Sequence, residues 1–214
     1  MHLEELEARV NKLEAAVQVA RDIEAIKKLQ NAYSYYLEHW QEEELVDLFS
    51  HSDEVSVEIN DTGLFKGWND VRECYRWEGH YPAYPDTKKA PPEFLHIMMP
   101  IGGIIDLEPD GKTAKGRFYG FVLAAQRKEG VLRSMIACGI WENEFIKEDR
   151  VWKFLKIFWN DIISSPIEEG WVKTPALLNP KHKNARAPGP NTHFRMYPSG
   201  YIFPYHYKNP VTGK

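Results

Sequence analysis

The chain has 214 residues, which is enough for one well-buried core with an added arm or tail but short for two independent enzymatic domains. Its 43% hydrophobic residues, 27% charged residues and net charge of -4 argue against a disordered or fibrous protein. A nucleic-acid partner is not expected, because the single basic stretch lies among prolines and is typical of a solvated surface. That stretch contains Lys181, Lys183, Arg186 and Arg195.

The positions of the cysteines and of the apolar residues narrow the possible classes of protein further. Cys74 and Cys138 are the only cysteines, and their separation resembles neither a zinc site nor a redox motif, so we expect no metal and no disulfide framework. The first residues lack the apolar core of a signal peptide, and no apolar run is long enough to cross a bilayer. We therefore expect a cytoplasmic protein without a membrane partner.

Two helical patterns open the chain. Residues 1–21 predict a helical arm, because apolar residues alternate in spacings of three and four, the heptad seam of a short coiled coil. Its seam consists of Leu3, Leu6, Val10, Leu13, Val17 and Ala20. From Asp22 the apolar phase changes, and a stripe on a second helical stretch, ending near Trp40, is expected to face a core. Shorter helices are predicted at 43–49 and 67–77.

Strand patterns follow the helices. Alternating Val55, Val57 and Ile59 predict a first strand, and a proline-rich loop at 81–92 is a plausible pocket rim. Turn residues then separate four long strand-like runs, which predict an antiparallel meander. These runs are Phe94–Leu107, Thr113–Gln126, Val131–Phe145 and Val151–Ile163.

Helices followed by a meander predict an α+β domain, in which the N-terminal helices cover the concave face of a strongly curved antiparallel sheet. The expected organisation is an arm at 1–21, a cone-shaped α+β barrel domain at 22–165 that encloses one apolar pocket, and a tail at 166–214. The tail is rich in proline and aromatic residues. Exposed rings would form an apolar patch, so the tail is expected to pack along its own or a neighbouring subunit.

The candidate chemistry is acid–base catalysis. The chain contains no P-loop, dinucleotide-binding glycine motif, serine nucleophile elbow or His-Glu-x-x-His motif, so we expect no cofactor. His96 stands near the start of the first long strand, where alternation places it on one face with Met98 and Pro100. An imidazole in an apolar pocket is a suitable proton-transfer group. A core histidine bonded to a backbone carbonyl is the alternative.

Two further polar residues come from the long helix. Glu38 at its end could orient an imidazole and stabilise its charged form, or could simply be a solvated helix end. Tyr33 lies in the apolar stripe. Its hydroxyl could donate a hydrogen bond to a substrate, or Tyr33 could be a structural residue of the core. Five helix positions rotate by about 140°, so these two side chains cannot share one face of a regular helix.

Two segments carry a resemblance to a known family. "DIEAIKKLQNAYSYYLEHWQEEELVDLFSHSDEVSVEI" and "FLHIMMPIGGIIDLEPDGKTAKGRFYGFV" resemble the SnoaL-like branch of the nuclear transport factor 2-like superfamily over roughly residues 22–165. This resemblance implies the cone fold and relatives such as dehydratases, dehydrochlorinases and polyketide cyclases, which mostly work without a cofactor through a His–Asp dyad. By position, His96 falls on the family histidine and Tyr33 on a polar residue that several dehydratases supply as tyrosine. Glu38 stands where aspartate is usual, and its extra methylene changes the reach of the carboxylate.

The resemblance also implies substrate contacts from the later strands and from aromatic side chains. Polar candidates on the strands are Arg117, Tyr119, Arg133, Asn160 and Asp161, of which Tyr119 and Asn160 are favoured, with Arg117 as a further substrate contact. The terminal stretch "RMYPSGYIFPYHYKNPVTGK" resembles a subgroup that includes lyases of lignin-derived diarylpropanes. For a two-ring phenolic substrate, ring contacts would come from Trp40, Trp68, Tyr81, Tyr84 and Phe94, although core packing explains many such residues.

The sequence thus predicts a cofactor-independent lyase or isomerase that acts on a small hydrophobic molecule, aromatic or phenolic, with His96 as acid–base catalyst and Glu38 and Tyr33 in support. The alternative is a non-catalytic binding or association module, because the same fold serves both roles. We also expect a homo-oligomer, with a trimer favoured over a dimer by the resemblance.

Overall fold

A computed structural model of the chain describes residues 2–59, 63–77, 90–128, 130–175, 187–189, 192 and 196–214. Its helices are α1 (Leu3–Glu38), α2 (Glu42–Val46), α3 (Trp68–Cys74) and α4 (Gly170–Lys173). The strands are β1 (Ser56–Ile59), β2 (Gly63–Lys66), β3 (Leu95–Leu107), β4 (Thr113–Lys128), β5 (Val131–Glu148) and β6 (Val151–Pro166). In the described ranges, no helix is both long and apolar enough to span a membrane.

The two predicted N-terminal helical stretches form one continuous helix, α1. Side chains 2–21 are exposed, whereas Asp22 and Ile26 are buried. The Asp22 carboxylate accepts hydrogen bonds from the Trp152 indole at 2.8 Å and lies 2.6 Å from the ammonium group of Lys147. Burial alone would raise the pKa of Asp22, but these contacts lower it. The change of apolar phase at Asp22 therefore marks the point where α1 meets the sheet.

The strands form one sheet in the order β2-β1-β6-β5-β4-β3. The four long strands pair as successive antiparallel neighbours, which confirms the predicted meander, and β1 joins it by parallel pairing with β6. Among the described strands the sheet is curved and does not close on itself. The predicted α+β class, with an N-terminal helix over a curved sheet, is confirmed.

The two faces of the sheet differ in what covers them. The inner face carries the even-numbered residues of β4, such as Phe118, Val122 and Ala124, which join the core cluster together with Ile26 and Tyr33 of α1. The outer face carries the odd-numbered residues of β4, and on this face Arg117 contacts Phe203 and Pro204 of the C-terminal tail. Which face a side chain occupies therefore decides whether it can share a site with the helix-covered core.

Glycines on the inner face make room for large rings. A Cβ atom on Gly120 would lie 2.2 Å from Cζ3 of Trp159 and 2.8 Å from Cζ3 of Trp141. Gly139, its partner on β5, faces the same indole: a Cβ atom added there would lie 2.5 Å from Cζ2 of Trp159. Real Cβ atoms do not approach rings so closely, so Trp159 occupies the volume that side chains at these two positions would need.

Replacement of Gly120 by alanine is expected to lower the free energy of unfolding by about 1–3 kcal/mol, because the added methyl group overpacks the inner face. Urea denaturation measures the effect. The matched control is the same substitution in a Trp159→Leu background, where the nearest ring is absent and the penalty should be clearly smaller, although the close approach to Trp141 remains. An equal penalty in both backgrounds would mean that the indole is not what excludes a side chain at position 120.

Candidate active site

His96 lies on the inner face of β3. Its strand partner is Ala124, and the next inner-face pairs along β3 are Met98 with Val122 and Pro100 with Gly120. Ala124 and Val122 are buried, and directly paired residues project to the same side of a sheet. His96, Met98 and Pro100 therefore share the helix-covered face, as the alternation of the sequence predicts.

Aromatic rings surround the imidazole. Trp40 lies nearly parallel to it, with ring centroids 6.5 Å apart and an interplanar angle of 21°, and Phe94 meets it edge-on at 6.1 Å. Trp77 contacts both of these rings, at 5.3 Å from Trp40 and 5.4 Å from Phe94. Trp40 and Phe94, both predicted as ring contacts of a substrate, therefore lie next to His96.

Trp40 reaches this position through an unusual backbone. It follows the end of α1 with a φ of 50°, in the left-handed region that bulky residues rarely adopt. Its indole N–H donates to the backbone carbonyl of Tyr75 at 3.1 Å, and its ring is buried. Such a conformation persists only where the surroundings hold it in place. The chain turn after α1 therefore directs the Trp40 indole toward His96.

The imidazole of His96 is neutral at physiological pH. Burial lowers its pKa to about 4, and burial is the only cause of the shift. Its Nδ1 atom is buried without a hydrogen-bond partner among the described residues. A buried polar atom without a partner carries a cost of about 1–3 kcal/mol, so a ligand that brings a hydrogen bond to this nitrogen gains affinity. The predicted alternative, an imidazole satisfied by a backbone carbonyl, is not what the structure shows at Nδ1.

The lowered pKa of His96 predicts a pH-dependent stability. In the unfolded chain the imidazole has a pKa of 6.5, so between pH 6.5 and 4 the unfolded state binds more protons than the folded state. Stability therefore falls as the pH decreases through this range, by at most about 1.4 kcal/mol per pH unit from this group. His96→Gln removes the effect. Urea denaturation at pH 7 and pH 5 should show the variant gaining about 2 kcal/mol relative to wild type; an unchanged difference would contradict the lowered pKa.

Glu38, the predicted carboxylate of the dyad, is half-buried at the last residue of α1. Within the described ranges, no hydrogen bond or ion pair joins it to His96, and no opposite charge contributes to the pKa of the imidazole. A carboxylate close to the ring would stabilise the imidazolium and raise that pKa. The dyad thus stays a prediction, because no carboxylate among the described residues contacts the imidazole of His96.

Tyr33 is a fully buried residue of the core. Its hydroxyl and that of Tyr75 are 3.0 Å apart, and its ring packs edge-on against Phe49, Tyr75 and Phe154. Burial raises the pKa of both phenols, so both are protonated at neutral pH. Only one of their two hydroxyl hydrogens lies between them, which leaves the pair one further donor. Tyr75 was not predicted, because no local pattern relates the residue after α3 to a tyrosine of α1 that lies 42 positions earlier.

Arg117, Tyr119 and Asn160 lie on the outer face. Tyr119 pairs with Ile140, which in turn pairs with Asn160, and Arg117 pairs with Glu142. Their side chains point away from His96, so they do not share its site. Their predicted substrate contacts stay predictions and form no part of the function proposed below.

Arg117 is instead the anchor of the C-terminal tail. Its guanidinium donates to Glu142 at 3.0 Å and to the backbone carbonyls of Pro204 at 2.9 Å and Phe203 at 3.3 Å. It also lies over the ring of Tyr205, 4.4 Å from the centroid. The tail thus packs along its own subunit here, as one of the two predicted arrangements.

The remaining candidates are dispersed. Trp68 stacks on His51 with centroids 3.9 Å apart, and Arg133 is exposed. Tyr81 and Tyr84, with most of the predicted loop at 81–92, lie outside the described residues. Asp161 is buried on the inner face opposite Gly139. Its carboxylate accepts a hydrogen bond from the indole N–H of Trp159 at 2.9 Å. Asp161 is one of the polar candidates predicted from the sequence, among which Asn160 was favoured.

A separate surface depression of about 420 Å³ lies at the far end of the sheet, near the β3–β4 turn. Charged side chains such as Glu108, Asp110 and Lys115 form much of its rim. The depression does not include His96 or its aromatic neighbours, and we assign it no role in the proposed chemistry.

Several solved structures are similar to this chain in fold. A candidate scytalone dehydratase from Novosphingobium aromaticivorans aligns with a TM-score of 0.56 at 20% identity, over 71% of this chain and 91% of that chain. For a hexachlorocyclohexane dehydrochlorinase of type 3 from Novosphingobium barchaimii LL02, the TM-score is 0.55 at 16% identity, over 71% and 94%. A protein of unknown function from Mycobacterium tuberculosis gives 0.53 at 16%, over 69% and 76%. At these identities the similarity shows the fold alone.

The family follows from the sequence itself. The family model described as "SnoaL-like domain" matches residues 18–157, which is more than half of the chain. The chain therefore belongs to the SnoaL-like family, as the resemblance predicted. No curated protein shows significant sequence similarity to it.

Proposed function

We propose that the protein is a cofactor-independent lyase or isomerase for a small aromatic molecule, with His96 as the proton-transfer residue. The observation that carries this proposal is the state of His96: a neutral imidazole on the inner face, among aromatic rings, whose Nδ1 has no hydrogen-bond partner among the residues that the structure describes. A neutral imidazole is ready to accept a proton without first losing one.

The chemistry is an elimination or a proton shift. His96 takes the proton from a carbon next to a leaving group, the electron pair of that C–H bond forms a C=C bond, and the leaving group departs. For a hydroxyl leaving group, the proton returns to the departing oxygen and the products are an alkene and water. In an isomerisation, the same imidazole returns the proton to a different carbon. Neither route consumes an oxidant, a reductant or a cofactor.

The aromatic neighbours support an aromatic substrate class. The rings of Trp40 and Phe94 lie next to the imidazole, one nearly parallel to it and one edge-on, and rings of this kind recognise a ligand ring by stacking and edge contacts. Family membership agrees with the reaction type, because related folds include a candidate dehydratase and a dehydrochlorinase. The Tyr33–Tyr75 pair is the proposed accessory hydrogen-bond donor. Because burial lowers the pKa of the free His96 ring, the imidazolium formed during turnover needs a stabilising group, and Glu38 is proposed to approach it only once substrate is bound.

The test is a cofactor-free turnover screen. Purified protein is incubated with phenolic and diaryl compounds that carry a hydroxyl or halide one carbon away from an acidic C–H, and mass spectrometry follows the loss of water or hydrogen halide, or a rearranged product of unchanged mass. The proposal expects turnover of at least one class of aromatic compound by wild type but not by His96→Gln. Turnover that survives in His96→Gln would contradict the assigned role.

A binding module without catalysis is the second candidate, and one observation favours it: Glu38 is not joined to His96 in the described structure, so the expected dyad is not assembled. Such a module would bind an aromatic compound, measured by calorimetry, yet leave it chemically unchanged over hours. Binding without turnover across the screen would therefore replace the enzymatic proposal with this one.

A further inference from the structure

The N-terminal part of α1, residues 3–21, carries an apolar seam that no described element covers. We call these residues the arm. Every arm side chain is exposed, including Leu3 at 71%, Leu13 at 64% and Val17 at 47%. The arm continues the helix that packs on the sheet from Asp22 onward, where Lys147 and Trp152 hold it. It therefore projects from a fixed base.

A projecting helix of this length needs a partner. Isolated helices of fewer than about 12–15 residues are marginal in water, and longer ones still gain most of their stability from packing an apolar face. The seam repeats in heptads, with Leu3, Val10 and Val17 at the first position and Leu6, Leu13 and Ala20 at the fourth. A seam of this period packs against another helix with the same repeat, because two such helices supercoil and keep their apolar side chains in contact along their length.

We propose that the arm pairs with the arm of a second copy of this chain as a parallel, two-stranded coiled coil. The side chains of the seam favour two strands, since β-branched valines occupy two of the three first positions and leucines occupy two of the three fourth positions. This interface differs from the trimer that the family resemblance favours, and it is a property of the arm residues of this chain. It does not rest on the proposed catalytic function.

The charges beside the seam favour the parallel orientation. Arg9 stands just before a first position and Glu14 just after a fourth position, so in a parallel pair Arg9 of each chain faces Glu14 of the other. In an antiparallel pair with the same apolar contacts, Glu7 and Glu14 of opposite chains would approach each other and repel. Charge complementarity thus distinguishes the two orientations.

Disulfide trapping in the full-length protein tests the geometry. The experiment uses a Cys138→Ser background, because Cys74 is buried. In a parallel pair the two copies of residue 13 meet across the seam, so Leu13→Cys should form a covalent dimer under mild oxidation. Ala15→Cys, on the opposite side of the helix, is the matched control and should not. No cross-linking at position 13, or equal cross-linking at both positions, would overturn the proposal.

A charge exchange tests the pairing in solution. Arg9→Glu should raise the dissociation constant of the dimer about fivefold, as measured by sedimentation equilibrium, because two attractions become repulsions. Adding Glu14→Arg restores opposite charges in the facing positions and should restore association. A double variant as weak as the single one would overturn the proposal, and so would a wild-type mass of one or three chains.

Discussion

Replacement of His96 by glutamine is expected to lower kcat/KM by about a hundredfold or more for a substrate found in the turnover screen, because a positioned acid–base group is lost. Glutamine keeps a neutral polar side chain of similar size but cannot accept a proton at neutral pH. The fall should appear mainly in kcat, since the substitution leaves the proposed ring contacts of Trp40 and Phe94 in place.

The control for this variant is His39→Gln. His39 directly follows α1 and is exposed, so its replacement should leave turnover unchanged. Thermal unfolding of His96→Gln must show a folded protein at the assay temperature. A folded variant that keeps more than half of the wild-type kcat/KM would remove His96 from the mechanism.

Replacement of Arg117 by alanine is expected to lower the free energy of unfolding by about 3–5 kcal/mol, the usual cost of breaking a buried ion pair by removing one partner. The side chains of Arg117 and Glu142 are only 10% and 17% exposed. The variant leaves Glu142 without its guanidinium, and the carbonyls of Phe203 and Pro204 lose their donor. His206 also contacts Glu142, so the loss extends along the tail.

Lys156→Ala provides the matched control for Arg117→Ala. Lys156 pairs with Glu144 at 2.8 Å, but both side chains are well exposed, at 45% and 36%. Exposed pairs contribute about 0–1 kcal/mol, so this variant should unfold almost as wild type does. Urea denaturation compares the two. A loss below about 1 kcal/mol for Arg117→Ala would mean that the tail does not depend on this anchor.

Much of the fold was predictable because its information is local. The alternation and turn residues of the meander define β3 to β6, and the position of Pro109, Asp110 and Gly111 marks the first hairpin turn correctly. The face of His96 relative to Met98 and Pro100 also follows from alternation alone. The spacing of apolar residues predicts the heptad arm and the stripe that follows it. It does not predict that the two form one continuous helix.

The outer-face position of Tyr119 was not predictable, because a bulge changes the register of the first hairpin. Near the turn, Leu107 pairs with Ala114, and that register continued without interruption would place Ala125 opposite His96. The irregularity between Ile101 and Ile104 shifts the pairing by one residue, so that His96 pairs with Ala124. A one-residue shift exchanges the two faces of a strand. Tyr119 consequently points away from the site.

Long-range contacts account for the other differences. The left-handed turn at Trp40 brings an indole toward His96, and no local pattern announces a positive φ at a tryptophan. The hydroxyl partner of Tyr33 comes from a residue 42 positions later in the chain. Arg117 is buried by a tail that sequence analysis could describe only by its composition, so burial there does not indicate a binding pocket.

The most direct test of the proposed chemistry is the protonation state of His96, measured by ¹⁵N NMR of the imidazoles between pH 8 and pH 5. The resonances that are missing in His96→Gln identify the residue. We expect this ring to stay neutral across the whole range, because its pKa lies near 4. A ring that instead becomes protonated with a pKa of 6.5 or above, as one held by a carboxylate would, contradicts a free neutral base on the inner face.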